Sequence, residues 1–116
     1  MSSHRQKRML TRVLIVDDDT DWLNSFSALF KEMHPDCAVE TAVDGNTAVV
    51  LWEKHKPELV ILDMMLPKRS GFLVLERIRD GGDPKPFIVM ITANEGKRHQ
   101  AYAEALGVDC YYHKVP

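Results

Sequence analysis

An α/β fold built on a parallel sheet is what this sequence predicts, and two observations predict it. Short runs of apolar, β-branched residues recur along the chain, and each is followed by apolar residues at helical spacing. The runs lack polar alternation, as strands covered on both faces by crossover helices do.

The elements follow in order. Val13-Leu-Ile-Val16 reads as the first strand. Trp22, Leu23, Phe26, Leu29, Phe30 and Met33 then recur at helical spacing, and Pro35 follows the helix end. Ala38 to Val43 is a weaker strand closed by Asp44-Gly45. The next helix turns Ala48, Val49, Leu51 and Trp52 inward and stops before Pro57. Leu59-Val-Ile-Leu62 is a third strand. Phe72, Leu73, Leu75 and Ile78 mark a third helix, ended by Gly81-Gly82 and Pro84. Phe87-Ile-Val-Met-Ile91 is the fourth strand, Glu95 to Leu106 the fourth helix with Gly107 as its cap, and Cys110-Tyr-Tyr112 a short fifth strand. Trp22 and Trp52 lie on apolar stripes, so core packing is expected of both.

Composition narrows the function classes. A chain of 116 residues suits one domain, since domains cluster at about 100–150 residues. A formal charge of -2 exerts no pull on nucleic acid or anionic lipid, so neither is an expected partner of this domain. Cys37 and Cys110 lie outside any metal-binding or redox spacing. There is neither an apolar run of about 18–20 residues nor a secretory leader pattern, which makes the cytoplasm the expected compartment. Residues 1–12 carry Arg5, Lys7, Arg8 and Arg12 and read as a basic, flexible lead-in to a domain over 13–116.

In open parallel sheets, chemistry gathers at the carboxyl ends of the strands. Asp17, Asp18 and Asp19 follow Val16; Asp63 follows Leu62; Thr92 follows Ile91; Lys114 lies just past the last strand. Each could be a turn or cap residue, and for Asp19 the helix N-cap is the better reading. Their joint placement is harder to explain by capping. Crowded carboxylates repel one another until a cation neutralises them, and hard oxygen ligands with a phosphate suit Mg²⁺. A lysine and a hydroxyl serve phosphate oxygens. The set suits phosphoryl transfer, with Asp63 on the central strand as nucleophile.

Val-Leu-Ile-Val-Asp17-Asp18-Asp19, the run from Leu59 through Asp63 and Pro67 to Gly71, Ile-Val-Met-Ile-Thr92-Ala93 and Tyr111-Tyr-His-Lys114 resemble the landmarks of response-regulator receiver domains. The resemblance covers the chain from about Val13 onward. It implies a flavodoxin-like, doubly wound, five-stranded parallel sheet in the order 2-1-3-4-5. It also implies that Asp63 takes a phosphoryl group from a histidine kinase or histidine phosphotransfer protein, in a Mg²⁺-dependent reaction. Asp18 would bind Mg²⁺ directly, Asp17 through water, and Asp63 and the backbone carbonyl of Met65 would complete the protein ligands. Thr92 and Lys114 would engage the phosphoryl oxygens, Thr92 and Tyr111 would form the switch, and Ala93 would leave room for the phosphoryl group. Such a domain is a signalling acceptor with self-phosphorylation and self-dephosphorylation chemistry, not an enzyme acting on other substrates.

Two departures stand out. Lys114-Val115-Pro116 replaces the usual Lys-Pro pair, and the family's fifth helix after this strand is missing from the sequence. Its absence would bare an apolar face, expected around Val60, Ile88 and Tyr112, and would favour self-association or cover by a continuing amphipathic segment. An unphosphorylated pseudo-receiver is the alternative reading. A haloacid-dehalogenase-type phosphatase is weaker, because Asp21 fills the Thr or Val position after Asp17-x-Asp19. A calcium loop fails because Trp22 occupies the glycine position. His4, His34, His55 and His99 are expected at solvated positions, and His113 is expected to point away from the site.

Overall fold

The computed structural model describes residues 10–82, 84–93 and 97–114. Among these, strands and helices alternate: β1 (Arg12–Val16), α1 (Thr20–Met33), β2 (Ala38–Ala42), α2 (Gly45–His55), β3 (Leu59–Asp63), α3 (Gly71–Asp80), β4 (Phe87–Thr92), α4 (Lys97–Ala105) and β5 (Cys110–His113). All strand pairs are parallel, in the order β2-β1-β3-β4-β5. The chain steps outward from β1 to β2 and then returns to lay β3 on the other side of β1. Strand order reverses there, and Asp17 and Asp63 leave the sheet beside that crevice.

The pleat divides the core in two. Leu14, Val16, Val60, Leu62, Ile88 and Met90 pack with Ala48, Trp52, Val74, Leu75 and Ile78 of α2 and α3 and with Ala103 of α4. Val13, Ile15 and Ile61 pack with Leu23 of α1 on the opposite face. Period-two alternation explains the split, because successive side chains leave a strand on opposite sides.

Not every apolar residue at helical spacing turns inward. Leu29 and Met33 of α1 are exposed, as is Leu73 of α3, where Val74 points inward instead. A helix lying on one sheet face buries a single stripe, and these residues fall outside it. The uncovered region also differs from expectation. Val60 and Ile88 are fully buried under α2, α3 and α4. The thinly covered residues are those of opposite parity, with Phe87 50% and Tyr112 57% exposed and Val89 and Ile91 half-buried. Tyr112 alone of the three named residues lies in this region.

β1 begins one residue before Val13. Arg12 opens β1, and the Thr11 and Arg12 amides donate to Glu58 Oε1 at 2.9 and 2.8 Å. His55 is not a solvated histidine: its Nε2 lies 3.1 Å from Glu40, which also takes Arg12 at 3.2 Å. His99 is half-buried near the Phe72 ring, whereas His34 and His113 are exposed. His4 and most of the basic lead-in lie outside the described residues.

Side-chain caps fix where α1, α2 and α3 begin. Asp19, Asp44 and Ser70 accept from the amides of Trp22, Thr47 and Leu73. The loop between β3 and α3 is tied to the start of α2 by Gly45 N–H donating to the Pro67 carbonyl at 3.2 Å. Gly71 N–H donates to the Met64 carbonyl at 2.9 Å. A Cβ at Gly71 would lie 2.3 Å from the Asp63 carbonyl oxygen and 2.7 Å from Met64 Cα. Both are backbone atoms beside the site and have little room to yield. Gly71→Ala is therefore expected to destabilise the fold by about 2–3 kcal/mol, read as a lower urea midpoint with an unchanged slope.

Candidate functional site

Asp17 follows β1, and its amide extends the strand pairing by donating to the Ala42 carbonyl at 3.0 Å. Its side chain is buried. Oδ1 accepts the Asp19 amide at 2.9 Å, and Oδ2 lies 2.6 Å from Lys114 Nζ. Asp63 ends β3 and is also buried; its Oδ1 accepts the Met65 amide at 3.2 Å. Asp18 is exposed at the mouth. One carboxylate oxygen from each of Asp17, Asp18 and Asp63 lies within 4.8 Å of the others.

Lys114 reaches into this cluster. Its side chain is only 16% exposed, its ammonium is 3.9 Å from Asp63 Oδ2, and its amide donates to the Thr92 carbonyl at 2.8 Å. Thr92 is fully buried at the end of β4, next to exposed Ala93. Tyr111 packs against the α2–α3–α4 core, with a buried hydroxyl that has no hydrogen-bond partner among the described residues. Burial raises the pKa of that hydroxyl. The Met65 side chain points outward, 59% exposed. The structure thus gathers Asp17, Asp18, Asp63 and Lys114 together, and Thr92 is tied to Lys114 through its backbone carbonyl.

Electrostatics follow from the crowding. The Asp63 pKa is pushed up to about 6, first by burial and then by the Asp17 charge, while the Met65 amide and Lys114 pull it down. Among the described residues, three carboxylates face one ammonium, and buried Asp17 Oδ2 has no aligned hydrogen bond despite its ionic partner. Such a donor set fits a hard cation bound through oxygen.

Sequence reasoning missed the contact made by one neighbour. Trp22 packs half-buried against the core as expected, and its ring also lies under the Lys114 ammonium at 4.6 Å from the centroid. The available signal was an aromatic residue in the first helical turn after the acidic run.

The fold and the acidic pocket define a class, and comparison with known proteins names it. The family model described as the response regulator receiver domain matches residues 13–115, and the chain belongs to that family. It is 31% identical over 105 residues to the transcriptional regulatory protein CiaR of Streptococcus pneumoniae, covering 90% of this chain and 45% of that protein. The chain thus spans about half the length of the curated relatives it matches. A CheY-like receiver domain from Methanospirillum hungatei superposes with a TM-score of 0.84 at 27% identity, covering 93% of this chain and 84% of that one. The chain also resembles a protein in a CheX-CheY-BeF3-Mg complex from Borrelia burgdorferi, with a TM-score of 0.81 at 26% identity over 91% of this chain and 79% of that one. No helix among the described residues is long and apolar enough to cross a membrane.

The raised pKa of Asp63 sets a pH dependence. An unfolded aspartate titrates near about 3.9, whereas folded Asp63 titrates at about 6. Between these values the folded state binds the extra proton, so stability from this group is full below about pH 4 and is lost as pH rises through 6. Without divalent metal, Asp63→Asn is expected to be more stable than wild type at pH 7 by about 1–3 kcal/mol. The difference should shrink toward pH 4, which paired denaturant melts at several pH values would measure.

Proposed function

We propose that this receiver domain of a two-component system accepts a phosphoryl group on Asp63 from a histidine kinase or histidine phosphotransfer protein. The carrying observation is the placement of Asp63 at the end of the central strand, with Asp17, Asp18 and the Lys114 ammonium beside it. In this reading an Asp63 carboxylate oxygen attacks phosphorus, the phosphorus–nitrogen bond of the donor phosphohistidine breaks, and the imidazole leaves with a proton. Asp17, Asp18, Asp63 and the Met65 carbonyl would hold Mg²⁺, which supplies charge neutralisation to the transferring oxygens.

Lys114 would exchange Asp17 for a phosphoryl oxygen, and the Thr92 hydroxyl would turn to another. Tyr111 would register the movement of Thr92 as the switch aromatic. The domain would work as a signalling acceptor in the cytoplasm, its chemistry confined to gaining and losing its own phosphoryl group. The BeF3 and Mg²⁺ named in the Borrelia CheX-CheY complex support this reading by analogy. Neither the pseudo-receiver nor the phosphatase alternative is favoured by the family match.

Intact-mass measurement after incubation with acetyl phosphate and Mg²⁺ tests the acceptor. Wild type is expected to gain one phosphoryl group, and Asp63→Asn none; a full adduct on the variant would refute the assignment. Lifetime gives a second expectation. Met65, two residues past the acceptor, is apolar and cannot orient a hydrolytic water. Met65→Asn is expected to speed phosphoryl loss several-fold, about 1 kcal/mol in barrier, measured as decay after donor removal. Asn94, expected to flank the same water path, lies outside the described residues.

A further inference from the structure

We propose that Trp22 is a positioning residue for phosphoryl transfer, holding the Lys114 ammonium over the pocket through its indole face. The proposal rests on the reading of Asp63 as phosphoryl acceptor. Lys114 Nζ lies 4.6 Å from the Trp22 ring centroid, 2.6 Å from Asp17 Oδ2 and 3.9 Å from Asp63 Oδ2. An indole is the best aromatic partner for an ammonium, and the contact strengthens when the cation is withdrawn from water. Lys114 meets that condition at 16% side-chain exposure.

The indole is itself held in place. Phe26, one turn further along α1, stacks on it at 4.8 Å with planes 7° apart. The Trp22 amide donates to Asp19 Oδ1 at 3.1 Å, and the Asp19 amide donates to Asp17 Oδ1 at 2.9 Å. The acidic loop and the aromatic platform therefore form one unit. Lysine has a long, flexible stem, and Asp17 alone would draw its ammonium away from Asp63. The indole adds an anchor that carries no net charge. The ammonium can then leave Asp17 for an incoming phosphoryl oxygen without leaving the pocket.

The test compares wild type, Trp22→Leu and Trp22→Phe, since leucine fills space without a π face and phenylalanine keeps one. Initial rates of phosphoryl uptake from saturating acetyl phosphate with Mg²⁺ are expected to fall roughly three- to tenfold in the leucine variant. The phenylalanine variant should recover most of that loss. A spectroscopic readout reports the contact itself. The Lys114 ε-methylene protons should be shifted upfield by the ring in wild type, partly so in the phenylalanine variant, and not in the leucine variant. Uptake in wild type with equal rates in all three proteins would overturn the role of Trp22 alone. An unshifted Lys114 methylene in wild type would overturn it as well. No uptake by wild type would overturn the Asp63 reading and, with it, this role.

Discussion

Two buried carboxylates at the end of one parallel sheet are the constraint on which the site depends. Asp17 and Asp63 are withdrawn from water within a few ångströms of each other, an arrangement that like charges resist. Among the described residues, the Lys114 ammonium answers them. The register makes this geometry unavoidable: Asp63 is paired with Ile91, and Ile91 with Tyr112, so these residues share a face. Lys114, two positions beyond Tyr112, shares it too. The cation reaches the carboxylates because β5 closes the sheet in this register, held there by the bond from the Lys114 amide to the Thr92 carbonyl.

The surrounding loops keep the charges in place. Asp17 accepts the Asp19 amide, and Asp19 caps α1, so the loop after β1 is built from the same residues that carry charge. After β3, the chain turns through Lys68 with φ +68, a left-handed conformation uncommon outside glycine. That turn is held by the Pro67 carbonyl, which accepts from both Gly45 and Arg69, and by Lys68 facing Asp44 at 3.8 Å. The start of α2 thereby braces the loop that follows Asp63.

The two sheet faces are covered unequally. Three helices lie on one face, where Val60, Ile88 and Met90 are sealed. On the other, α1 rests on β2 and β1, and the β4–β5 side leaves Phe87 and Tyr112 open. The right-handed crossover rule explains this imbalance, because the one outward step to β2 sends a single helix to the second face. Trp22, Phe26 and Phe30 enlarge the reach of that helix as an aromatic row along its length.

Much of this was legible from residue order alone. Apolar runs located all five strands, and the residue after each buried run named Asp17, Asp63 and Thr92, because a strand's end can be read from where its hydrophobic run stops. Strand order came from family resemblance, since periodicity carries no information on which strands are neighbours. Side-chain parity was misjudged at Val60 and Ile88, because an unbroken apolar run has no polar residue to mark its two faces. The exposure of Leu29, Met33 and Leu73 depended on how far each helix rolls onto the sheet. Tertiary structure alone decided that Lys114 lies buried between Asp17 and the face of Trp22. Those three residues are far apart in sequence, and only the closing of β5 against β4 sets the distances at which their charges and ring interact.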